Sequence, residues 1–370
     1  MVNSFKDYNR NSHIDYWLLI AVLGLSIIGL IMVFSSSAIL AKQNYNNKLY
    51  FFERQLIFFF IGIIIMLISL KIPVKFWIKF KYVFVSIGIC LLALTVCSPL
   101  GIEAGNAKRW LDFKFFTFQP LEIVKVFLVF YLAYFYANKQ DKIQSFGIGI
   151  LPPLVITLFL SALLILQPDL GGAAFLLLLF LSVAFVGGVP LGKLFGLGIA
   201  GIGGLLFFIF SASYRIKRVE AFLHPFSDPG DKGYQLVQSF YGLANGGLLG
   251  VGLGEGKQKF FYLPEAHNDF ILSILGEEMG FIGLSIVFLL VLILFWRWLK
   301  IVLSQEDLEN KLLAFGLGLI LLVGMFLNMG VVLGVLPPKG VTMPFVSYGG
   351  SSLLSSFLCV GILLKLERKG

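Results

Sequence analysis

The sequence predicts an all-α polytopic integral membrane protein of about ten transmembrane helices, with both termini cytoplasmic and a large extracytoplasmic loop between helices 7 and 8. Two observations lead to this prediction. Of the 370 residues, 58% are hydrophobic and only 13% are charged, whereas an ordinary soluble domain has roughly 25% charged residues. Apolar stretches of about 18 or more residues, long enough to cross a bilayer, recur along the chain. Residues 1–370 are therefore expected to form a single membrane domain.

The apolar runs place the helices in order. The polar start MVNSFKDYNRNSHID precedes a first run without a small-residue cleavage site, so this run is interpreted as a retained helix and not as a signal peptide. The predicted helices cover residues 17–38, 54–70, 82–98, 119–137, 148–166, 170–187, 193–211, 270–296, 311–329 and 350–365.

Lysine and arginine set the predicted orientation. They collect in short loops and tails, which the positive-inside rule assigns to the cytoplasm, at residues 6–10, 71–81, 139–142, 193, 297–311 and 365–369. The opposite face has the longer loops, at residues 39–53, 98–118, 212–269 and 330–349. Cytoplasmic loops beside anionic lipid also account for the net charge of +9, so a nucleic-acid partner is not expected.

The three cysteines exclude two further classes of protein. Cys90, Cys97 and Cys359 all lie inside apolar runs, without the spacing of a disulfide framework or a zinc site. They are interpreted as small core residues.

The outer loop at residues 212–269 mixes apolar, aromatic and glycine residues. This composition predicts short amphipathic or re-entrant segments at the membrane surface, which suit a ligand with a lipid tail and a polar head. The glycine-rich segment of this loop has two interpretations, and its glycines stand at positions 250, 252, 254 and 256. Its backbone N–H groups could bind a phosphate, or the glycines could simply allow a tight loop. The sequence leaves both open, because no complete nucleotide motif is present.

The segment PEAHNDF places Glu265, His267 and Asp269 just before an apolar helix. A partly desolvated carboxylate at Asp269 could accept a proton from a sugar hydroxyl as a general base. Asp is also a favoured N-cap, which is the structural alternative. A metal site built from the three residues is a weaker alternative, because their spacing has no precedent.

Two further carboxylates lie near predicted helix ends. Glu122 and Lys125 are three residues apart on one helix face, and at membrane depth they should pair or face the protein interior. The pair either fixes helix packing or acts on a substrate. Asp169, in QPDLGGA, is either an N-cap or a lining residue of the outer surface.

The loop sequence GNAKRWLDF supplies Lys108, Arg109 and Trp110. A guanidinium matches a phosphate with two hydrogen bonds, and an indole suits a sugar face or the membrane interface. These residues are therefore candidates for diphosphate binding or simple interfacial anchors.

The segments QPLEIVK, QPDLGG, LPEAHNDFILSILGEEMG and NMGVVLGVLPPKGVTMPFVSYGGSSLL stand in order along nearly the whole chain. In this order they resemble the signatures of the shape, elongation, division and sporulation (SEDS) family. GVGLGEGKQKFFYLPEAH is more similar to the division and sporulation branch, with FtsW and SpoVE, than to the elongation branch, with RodA. Asn268 departs from the family pattern, which often has Thr, but leaves Asp269 intact.

The resemblance implies a peptidoglycan glycosyltransferase that polymerises lipid II on the outer face of the cytoplasmic membrane during division, with Asp269 as the matching catalytic aspartate. It implies a class B penicillin-binding protein and other division proteins as partners. The candidate substrate-binding residues are Arg109, Trp110, Asp169, His267, Lys339 and Ser347. Arg109 and Lys339 would steady the leaving diphosphate, with Mg²⁺ or Mn²⁺ as a candidate cofactor and no metal ligand assigned.

Three other functions are weighed against this one. A lipid II flippase would use Glu122, Lys125 and Asp169 to line a translocation path, and would need Asp269 only for shape. A scaffold that recruits the crosslinking enzyme would tolerate charge changes at the outer face. A RodA-like elongation polymerase would share the chemistry but not the septal location.

Overall fold

Each apolar run predicted from the sequence forms a helix in the computed structural model, which describes residues 15–104, 107–114, 116–211, 213–227, 233–338 and 340–367. Eight of the described helices are long and apolar enough to span a membrane, when the helix Leu151–Leu166 is counted with the π-helical turn Phe146–Ile150 that precedes it. The shorter apolar helices at Lys81–Cys97 and Leu170–Val186 bring the set to the predicted ten. The all-α membrane fold is thereby confirmed. The helices are α1 (Tyr16–Tyr45), α2 (Tyr50–Lys71), α3 (Val74–Lys79), α4 (Lys81–Cys97), α5 (Pro120–Asn138), α6 (Leu151–Leu166), α7 (Leu170–Val186), α8 (Leu191–Phe210), α9 (Ser213–Leu223), α10 (Tyr234–Gly246), α11 (Ile271–Ser304), α12 (Leu308–Val332) and α13 (Gly350–Glu367).

The core of the bundle lies around α5, α12 and α13. In the most apolar window of each helix, 83% of α5, 67% of α12 and 78% of α13 is buried, but only 6% of α8. Glycines bring α2 and α13 into close contact, as small residues do in membrane bundles. A Cβ at Gly361 would lie 1.9 Å from Oγ of Ser69, and one at Gly62 would lie 2.3 Å from the ring of Phe357. Helices α2 and α13 thus form a tightly packed part of the bundle.

Both ends of the described chain lie at the same end of the bundle. Arg297, in α11, pairs with Asp15 (Nε to Oδ2, 2.5 Å) and with Glu367 (Nη2 to Oε1, 2.7 Å). Asp15 caps α1 by accepting a hydrogen bond from the backbone N–H of Leu18. This arrangement agrees with the predicted even number of crossings.

A small antiparallel sheet lies between α4 and α5, where the sequence indicated only a loop. Its strands are β1 (Gly101–Ala104), β2 (Ala107–Asp112) and β3 (Thr117–Phe118), in the order β1-β2-β3. Strands of two to six residues are too short to show a hydrophobic alternation, so the pattern of apolar residues could not predict them.

The large loop between α8 and α11 contains the short helices α9 and α10. Helix α10 is amphipathic: Leu236 and Val237 are buried, whereas Tyr241 is 49% exposed. Short amphipathic segments were expected in this loop. Helix α11 then bends at Gly280, which has φ 65° and ψ −163°. A Cβ at Gly280 would lie 2.3 Å from the backbone nitrogen of Gly250, so only glycine allows this contact.

Candidate active site

Asp269 lies in the turn that leads into α11, at the end of the bundle opposite Arg297. Its backbone N–H donates to the carbonyl of Glu265 (3.2 Å), and its carbonyl accepts from Nδ2 of Asn328 (2.9 Å). The backbone of Gly340 passes so close that a Cβ there would be 3.2 Å from Oδ2 of Asp269. The carboxyl group therefore lies between the start of α11 and the loop that joins α12 to α13.

The carboxylate of Asp269 does not cap α11. The helix begins at Ile271 after Phe270, and no side chain caps it. Among the residues that the structure describes, none donates a hydrogen bond to the Asp269 carboxylate. The N-cap, one of the roles left open by the sequence, is therefore not the one observed.

The surroundings of Asp269 favour its protonated form. The pKa of this carboxyl is raised from 3.8 to about 7, chiefly by burial and also by the nearby negative charge of Glu265, while Arg109 acts in the opposite direction. A carboxyl with a pKa near neutral pH can exchange a proton at physiological pH, which is what general-base catalysis needs.

His267 lies in an aromatic cluster beside Asp269. Its ring centroid is 4.9 Å from that of Phe51 and 5.8 Å from that of Tyr348. Its carbonyl accepts from the backbone N–H of Tyr348 (3.0 Å). Burial lowers the pKa of the His267 imidazole, and Glu265 opposes this shift. The ring is therefore expected to be neutral at neutral pH, and it connects the Asp269 turn to the loop before α13.

Arg109 reaches the site because of a bulge in β2. Lys108 pairs with Glu103 and Trp110 with Ile102, so Arg109 has no residue opposite it. Such bulges redirect side chains. Nη2 of Arg109 donates to the carbonyl of Pro168, and its Nε is buried without a partner in the described part of the chain. The structure thus brings a cation, with an unused donor, near enough to influence the pKa of Asp269.

The remaining predicted substrate contacts are partly engaged in structural hydrogen bonds. Asp169 caps α7 by accepting from the backbone N–H of Gly172 (3.0 Å). Oγ of Ser347 accepts from the backbone N–H of Met343 (2.9 Å). Trp110 is half-buried on β2, and Lys339 lies outside the described residues. Their roles in substrate binding stay predictions.

Glu122 and Lys125 meet in the first turns of α5, as their spacing predicted. Nζ of Lys125 is 2.8 Å from Oε1 of Glu122, and both side chains are buried. The ammonium also lies 4.8 Å from the ring centroid of Phe175, in α7. Oγ of Ser355, in α13, is 3.5 Å from Oε2 of Glu122. The pair is thus enclosed by three helices, which favours a packing role.

The glycine-rich loop binds carboxylates of the protein itself. The backbone N–H groups of Lys257 and Gln258 donate to Glu277 (3.0 and 3.1 Å), and that of Gly254 donates to Glu278 (3.1 Å). The loop therefore does cradle an anion, but the anion belongs to α11. This geometry favours the tight-loop interpretation of the glycines.

Glu278 is the centre of a buried polar cluster that sequence reasoning missed. It pairs with Lys259 (2.7 Å) and accepts from Oγ of Ser35 in α1 (2.7 Å). Glu277 and Glu278 are each 1% exposed. Burying two adjacent carboxylates inside an apolar helix costs free energy unless both are bonded. The pair Glu277 and Glu278 in an apolar run was therefore the feature of the sequence that could have indicated the cluster.

The described residues do not assemble a protein-only metal site. Within the described ranges, no three His, Cys, Asp or Glu side chains come together in a way that could hold a metal ion. Glu265 is the carboxylate whose charge acts on Asp269, and these two side chains are fewer than the three that a protein-only site would need. A Mg²⁺ or Mn²⁺ ion at this place would have to complete its shell with phosphate oxygens and water, as Mg²⁺ often does.

The chain is similar to known proteins over nearly its whole length. The model of the cell cycle protein family FTSW_RODA_SPOVE matches residues 16–370. A probable peptidoglycan glycosyltransferase FtsW from Trichlorobacter lovleyi is 39% identical over 358 residues, which cover 97% of this chain and 94% of the relative. Stage V sporulation protein E from Bacillus subtilis is 38% identical over 354 residues, which cover 96% of this chain and 97% of the relative.

Solved structures share the fold. A chain from "Structural coordination of polymerization and crosslinking by a peptidoglycan synthase complex" has a TM-score of 0.78 at 28% identity, and covers 96% of this chain and 98% of that chain. The rod shape determining protein RodA from Thermus thermophilus has a TM-score of 0.71 at 24% identity, with coverage of 96% and 97%. The family that the motifs predicted is thus confirmed. This chain belongs to the FtsW, RodA and SpoVE family of cell cycle proteins.

Proposed function

We propose that this protein is a division-type peptidoglycan glycosyltransferase that polymerises lipid II, with Asp269 as the general base. The observation that supports the proposal most is the state of Asp269: a partly buried carboxyl with a pKa of about 7 and Arg109 nearby. The activity and the division role follow the relatives of 36–40% identity that are named FtsW glycosyltransferases.

The proposed reaction extends the glycan strand by one disaccharide. The 4-hydroxyl oxygen of an acceptor GlcNAc attacks the anomeric carbon of MurNAc on a lipid-linked donor. As this bond forms, the hydroxyl proton moves to the Asp269 carboxylate. The bond between the anomeric carbon and the diphosphate breaks on the opposite face, so the configuration inverts and undecaprenyl diphosphate leaves with the electron pair.

Arg109 is proposed to stabilise the leaving diphosphate. Charge develops on the bridging oxygen as the sugar departs, and fixed cationic donors lower the energy of that state. Arg109 has a buried Nε without a partner among the described residues, so it keeps a donor for such an oxygen. Lys339, or a divalent cation held mainly by the diphosphate, is a further proposed contact.

The contacts in the bundle support a polymerase over a flippase. A flippase would need Glu122, Lys125 and Asp169 to face a translocation path. Glu122 and Lys125 bond to each other at 2.8 Å, and Asp169 bonds to the N-terminus of α7. These groups are therefore already engaged, whereas the Asp269 carboxylate accepts no hydrogen bond from any described residue.

The proposed partner is a class B penicillin-binding protein, together with other membrane proteins of the division complex. The solved chain with a TM-score of 0.78 comes from a peptidoglycan synthase complex that coordinates polymerisation and crosslinking. We place the protein in the cytoplasmic membrane at the septum, with lipid around the helices and no nucleic-acid partner.

Cysteine labelling tests the proposed orientation. The native cysteines, of which Cys90 and Cys97 are exposed, are first replaced by alanine. Lys75→Cys and Gln140→Cys should then react with an impermeant maleimide only from the cytoplasm, because positive loops stay inside. Lys48→Cys and Tyr262→Cys should react only from outside. The reversed pattern would place Asp269 on the wrong face for lipid II polymerisation.

A polymerisation assay tests the activity. Purified protein, with and without a class B penicillin-binding protein, receives labelled lipid II, and the products are separated by size. Glycan strands should form with the parent chain and be absent with Asp269→Asn. Transport of lipid II across liposomes by both proteins, without polymer, would support the flippase instead.

A further inference from the structure

Asn328 connects the Asp269 turn to the neighbouring loop. It lies near the end of α12 and is 1% exposed. Its Nδ2 donates to the carbonyl of Asp269 (2.9 Å) and to the carbonyl of Val341 (2.7 Å). The two N–H groups of one amide therefore hold two separate backbone segments.

These two segments are the ones that flank the Asp269 carboxylate. One contains Asp269 itself, and the other contains Gly340, whose Cβ position would lie 3.2 Å from Oδ2 of Asp269. Val341, which Asn328 binds, follows Gly340 directly. A change at Asn328 would therefore change the distance between the carboxylate and the loop that faces it.

The orientation of the amide follows from its neighbours. Both partners of Nδ2 are carbonyl oxygens, which only accept hydrogen bonds, so the NH₂ group must face them. Oδ1 of Asn328 is then left buried without a partner in the described part of the chain. Among the described residues the amide therefore acts through Nδ2, which supplies a donor to each of the two carbonyls.

We propose that Asn328 is a positioning residue, which holds the Asp269 carboxylate at a fixed place relative to the loop 340–349. The inference rests on the proposed function, in which Asp269 accepts the proton. A small displacement of a catalytic group, about 1 Å, can lower a rate about a hundredfold. Asn328 acts through Asp269 and does not itself contact the sugar.

The test compares Asn328→Leu with a matched variant at the other end of the bundle. Leucine has nearly the shape of asparagine but no donor. Nε2 of Gln305 also donates to two backbone carbonyls, those of Ile301 (3.2 Å) and Leu366 (3.3 Å), and Gln305 is 7% exposed. Gln305→Met should therefore lose similar bonds far from Asp269 and keep its polymerisation rate. Asn328→Leu should lower kcat about ten- to a hundredfold, with KM within about twofold of the parent.

A second measurement does not depend on polymerisation. Carbodiimides couple to protonated carboxyls, so mass spectrometry of coupling against pH gives the titration midpoint of Asp269 in each protein. Glu265 and Arg109 are unchanged in these variants. In Asn328→Leu, a looser turn admits water, and the midpoint should fall from about 7 towards 3.8. In Gln305→Met it should equal that of the parent.

The outcomes separate the two proposals. If the parent chain makes no polymer, the proposed function fails, and the coupling midpoint still decides the role of Asn328. If Asn328→Leu does not fold, Asn328→Ser is used instead, because it leaves room for a water molecule in place of the amide. It should lower kcat and the titration midpoint of Asp269 in the same direction, but by less. An unchanged midpoint and full kcat in a folded Asn328 variant would overturn the inference, as would a loss no greater than that of Gln305→Met.

Discussion

The turn at Asp269 and the first turns of α11 both present carboxylates, but in opposite surroundings. Glu278 is 1% exposed and is bonded to Lys259, to Ser35 and to the glycine-rich loop. Glu277, equally buried, accepts two backbone N–H groups. Asp269, only eight residues earlier, accepts no hydrogen bond at its carboxylate from any residue in the described ranges.

The difference shows how one short segment can serve both stability and chemistry. Buried carboxylates with full sets of donors stabilise the arrangement of α1, α11 and the loop between them. A carboxylate without donors among the described residues has lone pairs open to a proton, and its pKa rises because burial and the charge of Glu265 outweigh the opposite effect of Arg109. Perturbed groups of this kind concentrate at functional sites.

The largest expected effect comes from Asp269→Asn. Removing the proton acceptor should lower polymerisation at least about a hundredfold, the low end of what general-base catalysis contributes. Because the folded-state pKa of Asp269 is raised above 3.8 to about 7, ionisation destabilises the fold as pH rises through this range. The variant should therefore melt at or above the parent's temperature at a pH of about 8.

The measurements for this variant are strand length from labelled lipid II and melting temperature in the same detergent. More than about a tenth of parental activity would mean that the base lies elsewhere, since the expected loss is larger. A lower melting temperature would give Asp269 a structural role instead.

Glu278→Gln should have the opposite effect to Asp269→Asn: it should lower stability and leave activity nearly unchanged. It leaves Lys259, whose side chain is 4% exposed, without its charge partner. Breaking a buried ion pair typically costs about 3–5 kcal/mol, so the melting temperature should fall clearly. Activity per folded molecule should stay near that of the parent, because Glu278 does not contact the reacting groups. Normal stability with lost activity would place this cluster in the catalytic machinery.

The Glu122 and Lys125 pair also tests the distinction between charged groups that stabilise the fold and groups that act on substrate. Either Glu122→Gln or Lys125→Met leaves one buried charge unpaired, and each should destabilise the protein by up to about 3–5 kcal/mol. The double variant should recover part of this loss, because no charge is then left alone. Thermal melts of the parent, both single variants and the double variant measure it. Four equal melting temperatures with lost activity would point to a direct role on substrate.

Glu265→Gln should have the smallest effect. The negative charge of Glu265 raises the pKa of Asp269, so its removal should lower that pKa and extend activity to lower pH. Glu255→Gln, an exposed carboxylate of the glycine-rich loop, is the control and should not move the profile. A shift of the Glu265→Gln profile towards higher pH would contradict the electrostatic account.

The membrane frame was predictable from the sequence because a bilayer imposes a minimum length on each apolar run. The pairing of Glu122 with Lys125 was also predictable, since polar groups stand out in an apolar chain, whereas the role of Asp269 stays a prediction. The contacts of Ser35 with Glu278 and of Asn328 with Asp269 were not. They join residues 243 and 59 positions apart, so only the folded chain brings them together. The bulge at Arg109 likewise depends on how β1 and β2 pair.

The central claim is that Asp269 is a base whose pKa lies near neutrality because it is buried and lies near the negative charge of Glu265. The pH dependence of polymerisation by the parent chain, in one detergent and with lipid II well below its KM, tests it most directly, because the rate then reports the pKa of the free protein. Below a pH of about 7 the rate should fall about tenfold for each pH unit, and above it the rate should level off, because only the ionised carboxyl accepts a proton. A rate that stays constant down to a pH of about 5, as expected for a carboxyl with the ordinary pKa of 3.8, would contradict the claim.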